Sequence, residues 1–369
     1  MPRLSVVSAH TSPLEQPSTG EAGGMNVYLA AVLPELAALG WEIEVLTRGE
    51  GERRLAPGVR VVGVPVDAGD KYALASAAPL FARAAAGADV VHSHYWVSGL
   101  AGMLTGLPHV HSMHSSSLAK NARLAPGDSP EPAERIDAER AVLAAADAIV
   151  VAGASEREDV VGGYGADPTR VAVVPPGVEA RFRPSGERSG VVLIGRVQPL
   201  KGQLLAVRAL AAMPEEARPV LRLVGGAAPG REAYLDEVRG AAAALGDRVL
   251  IDGPADRDLV AQRLRSARLA LVPSAAETFG LIALEAAASG TPVLARRTTG
   301  LRDAVRDGMS GMLIDSDSPV AWADAMLGLL GAPGELARLG RGGVEWAASH
   351  SWPAAAALLD GLYRRLLAR

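Results

Sequence analysis

The sequence predicts an α/β protein made of two doubly wound domains, each built on a parallel sheet. Short runs of Val, Leu and Ile alternate with Ala- and Leu-rich stretches of helical spacing. A segment rich in Pro and Gly, from Pro175 to Gly186, interrupts this alternation near the middle of the chain. At 369 residues, 49% of them hydrophobic, the chain is long enough for two cores. Strands that are apolar throughout are typical of parallel sheets covered by helices on both faces.

The first half of the chain contains the first series of predicted strands. They cover residues 4–10, 43–47, 59–66, 89–94, 109–114, 148–153 and 171–175. Helices are predicted between most of them, including residues 27–39 and 132–146. We therefore assign residues 1–178 to a first Rossmann-like domain.

The second half repeats the alternation without close sequence similarity to the first. Its strands are predicted at residues 191–196, 221–226, 249–252, 269–274, 292–296 and 312–315, and its helices include 204–212, 234–245 and 281–288. Residues 179–352 are predicted to form the second domain. The last segment, 353–369, is an amphipathic helix expected to pack back on the first domain, with Leu358, Leu359, Leu362, Leu366 and Leu367 on one face.

Composition excludes several classes of function. The net charge is −4, which argues against a nucleic-acid partner or an anionic membrane surface. There is no cysteine, so disulfides, thiol nucleophiles and iron–sulfur clusters are excluded. No apolar run reaches 18 residues, so we expect no stable membrane insertion and a cytoplasmic location. Only three of the 37 basic residues are lysines, namely Lys71, Lys120 and Lys201.

The loop after the first strand is the first candidate site. His10 ends the strand, and TSPLEQPSTGEAGGMN leads into a helix. Gly20, Gly23 and Gly24 allow close backbone approach, and amides at a helix start suit an anion. The spacing is not GxGxxG, so a dinucleotide is not indicated. A plain surface loop is the alternative, but the length of this connection favours a function.

Six of the seven histidines lie in the first 114 residues, which raises the question of a metal site: His10, His92, His94, His109, His111 and His114. No acidic residue interrupts these runs, so we expect no metal. Some of these side chains are expected at the mouth of a cleft and others in the core. His114, just before Ser115-Ser116-Ser117, is well placed for a substrate contact.

The second half has a cluster of its own. Arg196 ends a strand and Lys201 precedes a helix, an arrangement that predicts a pocket for a diphosphate. Glu277 and Glu285 flank a helix start near Gly280 and would accept hydroxyl groups of a sugar or ribose. Solvated side chains are the alternative for both pairs, and paired-carboxylate glycoside hydrolysis is a further one.

Taken together, these motifs resemble the retaining glycosyltransferases of family 4, which have the two-Rossmann GT-B architecture with a cleft between the domains. The resemblance runs nearly end to end. It is carried by HTSPLEQPSTGEAGGMNVY, HSHYWVSGLAG, HSMHSSSLAKN, GRVQPLKG and ETFGLIALEAAASGTPV. Within the family, these segments are most similar to actinobacterial enzymes that transfer N-acetylglucosamine from UDP-GlcNAc to inositol phosphate.

The resemblance implies a role for each candidate residue. Arg196 and Lys201 would hold the donor diphosphate and stabilise the leaving group, and His114 would contact the transferred sugar. The other donor-binding positions would be Gln16, Gly24, Glu277, Phe279, Gly280, Leu281 and, at the ribose, Glu285. The acceptor-binding positions would be His10, Asn26, Lys71, Tyr95, Ser115 and Arg135, of which the last four would hold the acceptor phosphate.

The resemblance also implies a retaining, front-face reaction with no cofactor and no catalytic metal. The partners would be a nucleotide-sugar donor and a cyclitol acceptor such as 1D-myo-inositol 3-phosphate, and the family suggests a homodimer. Departures leave an alternative open: Thr299-Gly300 replaces a usual Gly-Gly pair, and some loops are short. The alternative is an antibiotic-pathway glycosyltransferase with an aminocyclitol or thiol acceptor and another nucleotide sugar. A non-catalytic sugar-binding protein, a dinucleotide oxidoreductase and a histidine-metal hydrolase are further alternatives.

Overall fold

The computed structural model describes residues 1–17, 22–67, 69–124 and 128–369, and it contains two sheets of the predicted kind. The first sheet has the strand order β3-β4-β2-β1-β5-β6-β7-β8. Its strands are β1 (Arg3–Val7), β2 (Glu42–Arg48), β3 (Glu52–Ala56), β4 (Val59–Val64), β5 (Val90–His94), β6 (His109–Ser112), β7 (Ala148–Val151) and β8 (Val171–Val173). Its helices are α1 (Gly24–Ala38), α2 (Ala78–Ala84), α3 (Trp96–Met103), α4 (Ser117–Asn121), α5 (Ala133–Ala145) and α6 (Ala154–Glu158).

The second sheet is parallel throughout, with the order β11-β10-β9-β12-β13-β14. Its strands are β9 (Val191–Ile194), β10 (Leu221–Val224), β11 (Val249–Asp252), β12 (Leu269–Val272), β13 (Val293–Arg296) and β14 (Gly311–Ile314). The helices of this half are α7 (Gln203–Ala212), α8 (Glu232–Ala243), α9 (Arg257–Ser266), α10 (Leu281–Ala288), α11 (Thr299–Ala304), α12 (Pro319–Leu330) and α13 (Pro333–Ala348). The predicted fold class is confirmed, and every predicted strand is present, in most cases one to three residues shorter at an end.

One strand contradicts the expectation of purely parallel sheets. β3 pairs antiparallel with β4 at the edge of the first sheet, and the two are joined by a turn at Pro57-Gly58, where Gly58 has a φ of +77°. The sequence of β3, ERRLA, is largely exposed. A charged, exposed edge strand lacks the apolar run by which the buried strands were predicted.

The chain leaves the first sheet after β8 and returns to it at its end. Residues 174–190, between β8 and β9, contain no helix or strand. The last helix, α14 (Trp352–Leu367), shares a core with α1 and the first sheet through Leu359, Leu362 and Leu366. Leu358 and Leu367, predicted on the same face, are 51% and 41% exposed. The buried face of α14 includes Tyr363 instead. It is rotated slightly about the helix axis from the face that the leucine pattern predicted.

The chain passes between the two halves twice, once after β8 and once before α14, and these two segments lie against each other. The Val178 N–H donates to the His350 carbonyl at 3.2 Å. A Cβ atom at Gly177 would lie 2.2 Å from the backbone nitrogen of Trp352, so only glycine allows this approach.

Candidate active site

A cavity of about 470 Å³ lies between the carboxyl ends of the two sheets. Ligands of doubly wound proteins bind at this end of the strands. The first sheet contributes residues that follow β1, β5, β6 and β7, and the second contributes residues that follow β9 and β12. The cavity wall includes His10, Gly23, Gly24, Asn26, Lys71, Tyr95, His114, Ser115, Arg196, Lys201, Glu277, Phe279, Gly280 and Leu281.

The cationic pair of the second domain lies at the cavity as predicted from its spacing. The Nζ atom of Lys201 donates to Oε1 of Glu277 at 2.5 Å. The backbone oxygen of Arg196 accepts a hydrogen bond from Gln203 at 2.9 Å. A Cβ atom built on Gly23 would lie 3.6 Å from Nη2 of Arg196. The glycine-rich loop of the first domain and the arginine of the second therefore face each other directly.

The loop that carries Glu277 is fixed by the start of α11. The Glu277 carbonyl accepts hydrogen bonds from the Gly300 N–H at 3.0 Å and the Thr299 hydroxyl at 2.9 Å. Gly280 ends the loop with a φ of +94° and caps α10. The N–H groups at the start of α10 therefore lie at the cavity wall, where helix N-termini favour negative charge or sugar hydroxyls.

Two non-glycine residues of the first domain adopt a left-handed backbone, and both line the cavity. Tyr95 follows β5 with a φ of +75°, and His114 follows β6 with a φ of +55°. Such conformations cost roughly 1–3 kcal/mol each and are concentrated at functional sites. The strain turns both side chains from the strand ends toward the cleft.

His114 is held from both domains. Its Nε2 atom lies 2.7 Å from Nδ1 of His94, and its carbonyl accepts a hydrogen bond from the Thr278 hydroxyl of the second domain at 2.7 Å. Burial lowers the pKa of His114 to about 4. The imidazole is therefore neutral near pH 7 and suits hydrogen bonding to a hydroxyl group better than it suits proton donation.

Several of the predicted acceptor contacts line the cavity from the first domain. His10 packs on Tyr95 with ring centroids 4.3 Å apart. Burial, followed by the charge of Lys71, lowers the pKa of His10 to about 3, so this ring is also neutral. Lys71 and Ser115 line the wall beside them.

Asn26 borders the cavity, but the structure gives it a different role from the predicted acceptor contact. Its amide nitrogen donates to Thr11 at 2.7 Å and to the Ser12 carbonyl at 2.6 Å, and its oxygen accepts from the Gly23 N–H at 2.8 Å. These three bonds leave the side chain 1% exposed. Asn26 therefore shapes the glycine-rich loop.

Three other predicted residues do not reach the cavity wall in the described part of the chain. The Arg135 side chain is fully buried behind Ser115 and Tyr95, where it binds Glu139 at 2.9 Å. Gln16 is exposed on the surface of its loop. Gly20, in the same loop, lies outside the described residues. For Arg135, the motif predicted the backbone position but not the direction of the side chain.

Glu285 is the third of these residues. Its carboxylate is 3% exposed and accepts from Arg257 at 2.5 and 3.2 Å. Arg257 also binds Glu179 at 2.6 Å. Burial raises the pKa of Glu285, although Arg257 acts against this. Glu285 lies in the apolar stretch Ala283–Ala288, where a buried carboxylate requires a partner, and in this structure that partner is a protein side chain.

Sequence reasoning missed several residues of the cavity. Lys120, Glu131, Tyr28 and Glu156 also line it. Burial raises the pKa of Glu156 to about 8. Nothing in the charged run SERED distinguishes Glu156 from a solvated helix residue. Lys120 drew attention only because lysine is rare in this chain.

The remaining histidines form a hydrogen-bonded core. His92 bonds to Tyr363 at 2.6 Å and Ser112 at 2.9 Å, and His109 and His111 share the hydroxyl of Ser93 at 2.7 and 2.8 Å. Across the described residues, no group of three or more His, Asp or Glu side chains is arranged to hold a metal ion.

The two domains touch on both sides of the cavity. Arg231 of the second domain binds Asp128 of the first at 2.9 Å. On the other side, Asp303 accepts from the Ser155 N–H at 2.9 Å. Among the helices that the structure describes, none is both long and apolar enough to cross a bilayer.

A cleft of this kind, between two Rossmann-like domains with a cationic pair at a strand end, defines a GT-B glycosyltransferase. Comparison with known families agrees. Residues 23–177 match the model of a glycosyl transferase 4-like domain, and residues 188–332 match that of glycosyl transferases group 1.

Individual relatives show which glycosyltransferases the chain is similar to over nearly its whole length. The chain is 42% identical to a D-inositol 3-phosphate glycosyltransferase of Xylanimonas cellulosilytica, over 97% of this chain and 96% of the relative. It is 41% identical to the protein of the same name from Acidothermus cellulolyticus, over 99% and 91%. The chain belongs to the glycosyltransferase family that contains these proteins.

Solved structures show the same fold. A sucrose-phosphate synthase from Thermosynechococcus elongatus superposes with a TM-score of 0.91 at 28% identity, covering both chains fully. Anabaena HepE, solved in complex with UDP and glucose, superposes with a TM-score of 0.79 at 17% identity, covering 98% of this chain and 99% of HepE.

Proposed function

We propose that this glycosyltransferase transfers N-acetylglucosamine from UDP-GlcNAc to a phosphorylated cyclitol such as 1D-myo-inositol 3-phosphate, with retention of configuration. The observation that supports this most is the distribution of charge along one cavity. Arg196 and Lys201 line it from the second domain, with Arg196 close to Gly23, and Lys71 and Lys120 line it from the first. Two cationic pairs, one from each domain, suit a diphosphate donor and an anionic acceptor.

The donor would lie against the second domain. Its diphosphate would bind between Arg196, Lys201 and the backbone of Gly24. Glu277 and the first amides of α10 would receive the sugar hydroxyls. Lys201 and Glu277 are bound to each other in this structure. The diphosphate would therefore compete with Glu277 for Lys201, and the sugar hydroxyls would compete with Lys201 for Glu277. The ribose contact of Glu285 stays a prediction, since its carboxylate is bound to Arg257.

The chemistry would follow from positioning and charge. The acceptor hydroxyl would form its bond to the anomeric carbon on the face from which the diphosphate departs, and the leaving phosphate oxygen would take the hydroxyl proton. Neutral His114 would bind the transferred sugar by a hydrogen bond. Arg196 and Lys201 would stabilise the negative charge that develops on the leaving group, an effect of about 2.7–4 kcal/mol for one such donor.

Domain contact would exclude water from the reaction. The Thr278–His114 hydrogen bond joins the domains at the position assigned to the transferred sugar. Closure of this kind limits hydrolysis of the donor.

The test is a matrix of donors and acceptors, read by mass spectrometry. UDP-GlcNAc and UDP-glucose are each combined with inositol 3-phosphate, inositol and 2-deoxystreptamine, and product configuration is read by NMR. We expect turnover with UDP-GlcNAc and inositol 3-phosphate, giving an α-linked product. Turnover with 2-deoxystreptamine alone, or a β-linked product, would contradict the proposal.

A further inference from the structure

The part of the cavity wall formed by the first domain contains an ion-pair cluster centred on Glu131. Oε1 of Glu131 accepts from Nζ of Lys120 at 2.9 Å, and Oε2 accepts from the Tyr72 hydroxyl at 2.8 Å. Nη1 of Arg135 lies 2.7 Å from the same Oε2 atom. Lys120 and Glu131 both line the cavity beside Lys71. Neither is among the residues that the family motifs assign.

The backbone of Glu131 is fixed on both sides. Asn121 accepts from its N–H at 2.7 Å and donates to its carbonyl at 3.1 Å. Pro130 and Pro132 flank it and restrict the chain further. These constraints hold Glu131 at the edge of the cavity. Its side chain is 13% exposed, and that of Lys120 is 29% exposed.

The members of the cluster differ in how completely their charges are compensated. Arg135 contacts two carboxylates, Glu131 and Glu139. Lys120 has Glu131 as its ion-pair partner. Within the described part of the chain, Lys71 forms no ion pair, and its Nζ lies 5.4 Å from the centroid of the Tyr72 ring.

The pKa shifts of the two partners differ: burial lowers the pKa of Lys120, although the charge of Glu131 acts against this, whereas Glu131 is held in its anionic form. Burial alone would raise the pKa of Glu131, but the charges of Lys120 and Arg135 outweigh it and lower the pKa to about 2. Glu131 is thus an anion at neutral pH. It lies where an anionic acceptor group would have to approach Lys120.

We propose that Lys120 is a further ligand of the acceptor phosphate and that Glu131 is its exchangeable counter-ion. When the phosphate binds, Lys120 leaves the Glu131 carboxylate and pairs with the phosphate next to Lys71. Glu131 keeps Arg135 and Tyr72, so its charge stays compensated. This inference rests on the proposed phosphorylated acceptor and adds a specificity-determining pair to it.

The exchange predicts opposite effects for the two partners. Lys120→Met should raise KM for inositol 3-phosphate about tenfold or more, the order expected for one charge-assisted hydrogen bond. Glu131→Gln removes the competing anion and should lower that KM about threefold. Turnover at saturation should change little in either variant. Lys120→Arg keeps the charge and should recover part of the loss.

Two matched controls lie on α5, which begins just after Glu131. Glu134 is exposed in the first turn of α5, so Glu134→Gln removes one negative charge outside the cavity. Arg140 is half-exposed farther along, so Arg140→Met removes one positive charge there. Neither should move KM, and thermal unfolding identifies any variant that fails to fold.

Calorimetric titration with inorganic phosphate, in the presence of UDP, repeats the comparison without turnover. Tighter phosphate binding by Glu131→Gln and weaker binding by Lys120→Met support the inference. Weaker binding by both variants would overturn it, because Glu131 would then only hold the cations in place. Effects no larger than those of the controls would overturn it too. If the wild type does not turn over inositol 3-phosphate at all, the proposed function is wrong. That result is read from the wild type alone and is thus distinct from the comparison of variants.

Discussion

The buried histidines make a quantitative prediction about acid stability, and His109 is the clearest case. Its side chain is 3% exposed, packed against Gly102 and bonded to Ser93. Burial lowers its pKa to about 4, against about 6.5 in an unfolded chain. As the pH falls below 6.5, His109 binds a proton in the unfolded chain, whereas in the folded protein it does so only near pH 4. The contribution of His109 to stability is therefore complete above pH 6.5 and is lost as pH falls toward 4.

Linkage gives the size of this loss. Between pH 7.5 and pH 5.0, a pKa that moves from about 6.5 to about 4 on folding removes about 2 kcal/mol from the free energy of unfolding. Glu156 acts in the opposite direction, because its pKa is raised to about 8 and the folded protein gains a proton as pH falls. The pH dependence of wild-type stability therefore contains contributions of opposite sign, and a variant is needed to isolate that of His109.

The variant is His109→Asn, measured by urea unfolding at both pH values. The loss of stability between pH 7.5 and pH 5.0 should be about 2 kcal/mol smaller in the variant than in the wild type. His350→Gln serves as a control, since His350 is only half-buried and its pKa is lowered less. Parallel pH dependences of wild type and His109→Asn would refute the reasoning.

Three further predictions concern single side chains. Arg257→Ala leaves the buried Glu285 carboxylate without its main partner and should lower stability by about 3–5 kcal/mol, read by urea unfolding; an unchanged midpoint would contradict the pairing. Gly300→Ala places a Cβ atom 2.3 Å from the Thr278 carbonyl, so it should shift the loop proposed to bind the donor sugar and raise the donor KM in steady-state kinetics. Lys71→Ala should raise KM about tenfold for inositol 3-phosphate but not for inositol, and equal changes for both acceptors would exclude a phosphate contact.

Sequence patterns predicted the backbone of this protein well because its strands are buried on both faces. Each of the thirteen apolar runs became a strand. The exposed strand β3, with the sequence ERRLA, has no such signature and was missed. The cationic pair Arg196 and Lys201 was also predictable, since a strand end and a helix start fix where both residues lie.

Side-chain partners were less predictable than backbone positions. Arg135 and Glu285 occupy their expected places in the fold, but neither faces the cavity. Arg135 is bound to Glu139, four residues on in the same helix, and Glu285 is bound to the distant Arg257. Glu139 and Arg257 carry no motif. Lys120 and Glu131, by contrast, meet at the cavity wall although no motif marks Glu131. Such contacts depend on tertiary structure and leave little trace in local sequence.

The proposed chemistry depends most on the charge that Arg196 and Lys201 place against the leaving diphosphate. The most direct measurement is kcat of Lys201→Ala with UDP-GlcNAc and inositol 3-phosphate, beside Arg208→Ala as a control on the exposed face of α7. We predict a fall of about 10²–10³ for Lys201→Ala and none for the control. A Lys201→Ala enzyme that keeps near-wild-type kcat would contradict the central claim.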